Sequence, residues 1–375
     1  MQSREGEIKP LTSVRFFAAL YVVLFHTLSP LVRGSDDPNA VYGGVLGLGY
    51  VSVSFFFVLS GYILAKVYLP KRSHTTPRAF WMARFARIYP LFFITLLADT
   101  PHLFMSILRR HGSHAAVTAT AKILLANTVM VQGWFVHLRG IDNPNWSLSV
   151  EAFFYALFPL LLLWLARQRN GSLLVISGIT YCIGLAAIVV ASHAFLRLDT
   201  VKFSPLLHLH EFVEGMCIGI CAARLSPGTL RTLERASPVM LAICAASFIL
   251  FVTLSWHMLS MFTLIHDGLL SPLFLLLIVS LNYGDSFIHR ALSDRRFVLV
   301  GEASYGLYLW HIPLWHVAKM IPGGQNIWLY PLFVAGAIAF SVLSLQLLER
   351  PARNLVLSKM RARQEESLMA SSIAQ

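Results

Sequence analysis

Apolar runs of close to 20 residues recur along this 375-residue chain, and their length decides what it can become. A hydrocarbon core of about 30 Å needs a helix of about 20 residues to cross it, with every backbone polar group satisfied inside the segment. The runs predict ten spanning helices near residues 11–32, 46–68, 85–107, 147–166, 172–194, 207–224, 238–255, 262–282, 298–319 and 328–349. The fold class is therefore all-α, a polytopic transmembrane helix bundle. Composition agrees: 56% of residues are hydrophobic and 13% charged, against about 45–50% and 25% in soluble domains. One bundle takes in residues 1–353, and residues 354–375 read as a polar, disordered cytoplasmic tail. The first apolar run carries Arg15 and lacks a small-residue cleavage site, so it reads as a retained helix rather than a secretory signal.

A net charge of +12 does not point to nucleic acid, because the basic residues punctuate the apolar segments instead of gathering in one block with interleaved aromatics. Their distribution orients the bundle. With a cytoplasmic N-terminus and ten crossings, 22 of the 30 lysines and arginines fall on the cytoplasmic side or at helix ends there, as the positive-inside rule requires. A semi-apolar stretch, residues 115–135, holds Lys122, Asn127, Gln132 and Gly133. A full crossing there would turn Arg350 to Arg363 outward, so the stretch is expected to be re-entrant or interfacial. Both termini are then cytoplasmic.

Polar residues inside such helices carry the functional signal, since an ionisable side chain near the bilayer centre costs at least ~2.5 kcal/mol on insertion scales. Arg15 and His26 lie eleven residues apart in LTSVRFFAALYVVLFH, which leaves them about 20° apart on one helical face and about 16 Å apart along the axis. His26 stands about 22 Å from the cytoplasmic end of its helix, His311 about 20 Å up another, and Glu151 about 7 Å below the outer end of a third. All three are expected in the outer half, where Glu151 or His311 would orient His26 as a general base. On the cytoplasmic side Arg84 and Arg87 are three residues apart and share a helix face, a spacing that suits phosphate oxygens or lipid phosphates.

Weaker signals surround these. Glu211 and Glu214, with His266 and Asp267, would bind sugar hydroxyls or line a wet vestibule, and His208 and His210 are expected to be solvated. No HExxH or comparable spacing is present, so no metal is expected. Cys182, Cys217, Cys221 and Cys244 sit in apolar stretches without paired spacing and read as small core residues. Ser60 in FVLSGY is no nucleophile elbow; its neighbour Gly61 reads as a close-packing position.

Six strings in order resemble the acyltransferase-3 family of integral membrane acyltransferases: LTSVRFFAALYVVLFH, VSFFFVLSGY, RFARIYPLFF, NWSLSVEAFFYALFP, VGEASYGLYLWHIPL and LLERPAR. Members O-acylate extracytoplasmic carbohydrates in bacteria. The resemblance implies that His26 is catalytic with Arg15 its companion, and that Arg84 and Arg87 belong to the acyl-donor site. Trp146, Ser147 and Glu151, Tyr305, Tyr308 and His311, and Glu349 with Pro351 match its remaining motifs. Some members carry a fused hydrolase-like domain; none is expected here, and a separate periplasmic partner remains open.

The expected reaction takes an acyl group, acetyl by resemblance, from cytoplasmic acyl-CoA to a hydroxyl of an extracytoplasmic or lipid-linked carbohydrate, in the bacterial inner membrane. No permanently bound cofactor is expected; acyl-CoA is the donor substrate. Direct transfer and an acyl-histidine intermediate both fit. The competing reading is a proton-coupled secondary transporter in which His26 and Glu151 relay protons.

Overall fold

The computed structural model describes residues 8–33, 44–73, 75–140, 143–194, 198–254 and 262–359. Its helices in chain order are α1 (Lys9–Arg33), α2 (Gly44–Gly47), α3 (Val51–Tyr68), α4 (Pro77–Thr128), α5 (Trp146–Leu165), α6 (Asn170–His193), α7 (Leu198–Phe203) and α8 (Leu209–Ala223). They continue as α9 (Pro227–Leu254), α10 (Phe262–His266), α11 (Ser271–Tyr283), α12 (Phe287–Leu292), α13 (Arg295–Glu302), α14 (Ser304–Met320) and α15 (Tyr330–Ser344). A π-helical turn, Leu345–Glu349, follows α15, and helix resumes as far as Lys359. There is no strand among the described residues. Helix thus runs past the expected tail boundary at 353, and residues 360–375 lie outside the described residues.

Eight helical segments are long and apolar enough to cross a membrane among the described residues. The other two expected spans are helical but shorter: α8 has 15 residues and carries Glu211 and Glu214, and α14 has 17 and follows α13. Local signals explain several ends. Thr76 caps α4 by accepting from the Ala79 N–H at 3.2 Å with Pro77 in the first turn, and Asp294 caps α13 by accepting from the Arg296 N–H at 2.8 Å.

α3 runs through the middle of the bundle against α8. Three glycines make that possible: a Cβ on Gly61 would meet the Phe212 carbonyl, and on Gly215 and Gly219 the carbonyls of Val58 and Tyr62. With only hydrogen there, the two backbones touch, the small-residue packing expected at Gly61. Around them stack Phe154 on Phe212, centroids 4.7 Å apart, and Phe80 on Phe158 at 4.6 Å, all buried. α6 and α9 form the periphery and present Leu174, Ile183, Val190, Ile249 and Leu250 outward. Cys182 is exposed on that periphery rather than in the core, while Cys217 and Cys244 are buried as expected.

Residues 115–135 double back. α4 breaks at Gly112, with φ 80° and ψ 175°, a conformation essentially confined to glycine. Tyr89 lies 23 residues before that break, yet its hydroxyl donates to the Thr128 carbonyl at 3.1 Å. Only a chain that returns alongside itself can close that contact. Beyond the return, Gln132 is fully buried and donates to the Asn145 carbonyl at 2.8 Å, and every residue from 144 to 150 is buried. α5 therefore starts inside the bundle rather than at its outer rim.

Candidate active site

α1 and α14 bring His26 and His311 together, with Nδ1 of His26 3.3 Å from Nε2 of His311. The partners assign the protons. His311 Nδ1 is 2.6 Å from the Tyr308 carbonyl, which only accepts, so Nδ1–H donates and the His311 Nε2 is left as an acceptor. His26 Nδ1–H then donates to it, and the lone pair on His26 falls on Nε2. His311 is fully buried and fixed, whereas His26 keeps part of its surface. A neutral imidazole with one nitrogen anchored and the other free is what a general base requires.

α5 is tied to the same place. The hydroxyls of Tyr308 and Ser147 share a hydrogen bond at 2.6 Å, and both lie within bonding distance of the Pro144 carbonyl, Tyr308 at 2.8 Å and Ser147 at 3.1 Å. Trp146 packs edge-on to Phe57 of α3, centroids 6.1 Å apart, and Trp310 donates to Ser344 of α15 at 3.0 Å. Motifs 161 residues apart in sequence thus meet because a serine, a tyrosine and a buried carbonyl just before α5 satisfy one another.

Glu151 does not reach the histidines. Because α5 starts within the bundle, Glu151 lies deeper than its count from an outer helix end implied. It accepts from the Tyr155 hydroxyl one turn on and faces Arg15 electrostatically. Arg15 also interacts with Arg87 and Glu349, and Tyr305 with Glu151, Glu349 and Arg87, so these side chains form one charged cluster. Tyr305 anchors it by donating to the Ile88 carbonyl at 2.8 Å. Glu349 ends the π-turn, the kind of irregularity that re-aims a side chain, and the hydrogen of Gly306 leaves it room: a Cβ there would sit 2.8 Å from its Oε1. Tyr155 was not singled out by sequence reasoning, although its place four residues after Glu151 on one helical face was the available signal.

Arg84 lies beside this cluster, 3.5 Å from the Tyr68 hydroxyl and over the Tyr68 and Phe80 rings. Its Nε is buried with no hydrogen-bond partner among the described residues, and Arg87 is exposed. An orphaned guanidinium N–H next to an exposed arginine is a site suited to an anion's oxygens.

The expected vestibule residues behave differently from expectation. His208 and His210 are 1% and 6% exposed, not solvated, and Glu211 and Glu214 are fully or almost fully buried. His208 Nδ1 donates to Glu211 at 2.8 Å and Nε2 to the Lys202 carbonyl at 2.8 Å; His210 Nδ1 donates to Glu214 at 2.7 Å and Nε2 to the Asp267 carbonyl at 2.9 Å. Ser54 and Ser271 complete the carboxylates. Since burying a carboxylate is tolerated only when paired, the i,i+3 and i,i+4 His–Glu spacing in HLHEFVEG was the sequence signal for this network. Lys202, outside the spanning helices, is held below the ordinary lysine range by burial, which nearby Asp199 and Asp267 oppose.

Two His/Asp groupings have metal-like proximity among the described residues: His208, His266 and Asp267, and Asp99, His102 and His316. In the first, His208 gives both nitrogens to acceptors and has no lone pair to offer. In the second, the His102 and His316 rings stack at 3.5 Å and 19°, so their lone pairs do not converge.

Comparison with known proteins places this geometry in context. A family model described as an acyltransferase domain matches residues 10–346. The chain is 27% identical over 339 residues to the acyltransferase MdmB of Streptomyces mycarofaciens, covering 87% of this chain and 83% of that one. It is 24% identical over 375 residues to the peptidoglycan O-acetyltransferase OatA of Listeria monocytogenes and 24% over 372 to the putative peptidoglycan O-acetyltransferase YrhL of Bacillus subtilis. Each match takes in 92% of this chain but 56% and 55% of those relatives, so the chain spans about half their length. No solved structure matches.

Proposed function

The chain belongs to the acyltransferase-3 family, and from that premise we propose that it moves an acetyl group from cytoplasmic acetyl-CoA to a hydroxyl of an extracytoplasmic or lipid-linked carbohydrate, with His26 as general base. The single observation that carries this reading is the His26–His311 pair: with His311 held by the Tyr308 carbonyl, it places the His26 lone pair on Nε2, on the same helix and helical face as Arg15. Arg84, Arg87 and Arg15 would hold the donor's phosphates, which are costly to desolvate, while the thioester arm reaches the roughly 16 Å along α1 to His26. Two relatives named for peptidoglycan favour a glycan hydroxyl as acceptor.

In the proposed reaction His26 Nε2 takes the proton of the sugar hydroxyl as its oxygen attacks the thioester carbonyl. Collapse of the tetrahedral intermediate breaks the carbon–sulfur bond, and the imidazolium returns its proton to the CoA thiolate, so no net proton is released. His311, held by the Tyr308 carbonyl, keeps the tautomer that makes Nε2 the base.

The test incubates the purified protein with labelled acetyl-CoA and cell-envelope glycan. His26→Ala is expected to lose transfer by about 10²-fold or more while still binding acetyl-CoA. Unchanged turnover would sink the base assignment, and movement of label across the membrane without covalent transfer would favour the transporter.

A further inference from the structure

The buried polar network around α8 contains one group that its hydrogen bonds do not use up. His208 and His210 each give both nitrogens to protein acceptors and serve as fixed, doubly protonated links between helices. His266 differs. Its Nδ1 donates to the Asp267 carboxylate, and its Nε2 has no hydrogen-bond partner among the described residues, although the residue is 93% buried at 7% exposure. Asp267 is fully buried, and its Oδ2 also lacks a partner. An imidazole nitrogen with a lone pair to give and, on the residue that orients it, a buried carboxylate oxygen with another are two acceptors suited to hydroxyl groups of one ligand.

The surroundings say which ligand and which side. The His266 ring packs near-parallel to Tyr50, centroid 5.5 Å away at 19°, and to Trp146, 5.6 Å away at 30°. Tyr50 packs at 5.8 Å on Phe25, the residue before His26, and Trp146 precedes Ser147, which bonds Tyr308 one turn from His311. Two chains of packed residues therefore connect the dyad to the His26 site, one through Tyr50 and Phe25 and one through Trp146, Ser147 and Tyr308. It is also deliberately shaped: Gly268, at φ 109°, sharpens the turn after α10, and a Cβ there would reach 2.9 Å from the Glu211 side chain and displace the bond from His210 to the Asp267 carbonyl.

We propose that His266, oriented by Asp267, positions the acceptor: Nε2 takes a hydrogen bond from a carbohydrate hydroxyl, and Asp267 Oδ2 takes a second, with the aromatic rings beside them lining the sugar's apolar face. This rests on the acyltransferase reading and adds to it the residues that recognise the acceptor. His266 is a positioning residue, since the proton removed in the reaction goes to His26. His208, with neither nitrogen free, has no part in it.

The full-length protein in native membranes supplies the test. Diethyl pyrocarbonate, which attacks a free imidazole nitrogen, should carbethoxylate His266 at least tenfold faster than His208 or His210, read by mass spectrometry; equal protection of all three overturns the dyad. Transfer from labelled acetyl-CoA to increasing envelope glycan then separates the roles. His266→Ala should raise the glycan needed for half-maximal rate at least tenfold while the acetyl-CoA dependence stays within twofold, and His266→Gln, which keeps an acceptor oxygen, should recover most of the loss. An unchanged glycan dependence in His266→Ala, or a parallel loss toward both substrates, overturns the proposal. If the unaltered protein transfers no acetyl at all, the acyltransferase reading fails instead, and the labelling arm still judges the dyad.

Discussion

Arg15 sits in the apolar body of α1, where a lone cation would cost at least ~2.5 kcal/mol on insertion scales. The surrounding carboxylates of Glu151 and Glu349 offset that cost, while Arg87 adds to it. The cluster itself balances two arginines against two carboxylates, and Arg84 beside it adds the positive charge that favours a polyanion. Arg84 and Arg87 are therefore expected to bind the donor rather than lipid. A charge-assisted hydrogen bond is worth about 1.5–3 kcal/mol, and every 1.4 kcal/mol is about tenfold in affinity. Arg84→Ala with Arg87→Ala should weaken acetyl-CoA binding by at least about tenfold in a titration of the purified protein. An unaltered dissociation constant would return these residues to the role of lipid anchors. At this scale the sequence was informative about residue identity and poor about partnership. His26 and His311 could be placed at similar heights by counting along helices, and they meet. Glu151 was counted from an outer helix end that is not at the outer rim, so its real partners, Arg15 and Tyr155, did not show.

At the scale of the element, hydropathy found every long helix because the membrane forces length and apolarity on any segment that crosses. It could not find which helices touch. The α3–α8 contact depends on three glycines whose missing Cβ atoms let backbones meet, and a hydropathy average does not register a missing atom. Gly61→Ala is therefore expected to destabilise the protein by about 1–3 kcal/mol through overpacking against the Phe212 carbonyl, seen as a lower melting temperature in detergent. Gly178→Ala on α6, where a Cβ meets nothing within 4 Å, should leave it unchanged or slightly raised. If the two variants melt alike, the close contact is not what holds α3 to α8. Gly112 gives a second case. Its added Cβ would also meet nothing, but its φ of 80° makes any side chain strained. Gly112→Ala should cost about 1–3 kcal/mol with no change in packing, and a neutral result would mean that the return of α4 does not depend on that turn.

For the whole molecule, the re-entrant segment decides orientation, because it determines how many times the chain crosses before its basic C-terminal helix. Residues 113–128 run back alongside the first half of α4 as far as Tyr89; taken as re-entrant, as the distribution of basic residues implies, they remove one crossing from a hydropathy count that includes them. With that segment re-entrant and the remaining helices crossing as expected, the basic run Arg350, Arg353 and Lys359 falls on the same side as Lys71, Arg72 and Arg84. That side also holds the charged cluster proposed to take a donor made in the cytoplasm, while His266 and Asp267 face the other. With cytoplasmic acetyl-CoA as the proposed donor, charge and chemistry favour the same orientation: positive charge is retained on the cytoplasmic face, and the proposed donor is supplied there. A green fluorescent protein fused after residue 375 should fluoresce, and alkaline phosphatase fused there should be inactive, whereas phosphatase inserted at Gly112 should be active. Phosphatase activity at the C-terminus would mean that residues 113–128 complete a crossing. It would also put Arg84 and the C-terminal basic residues on opposite sides, and no single donor site could then draw on both Arg87 and Glu349.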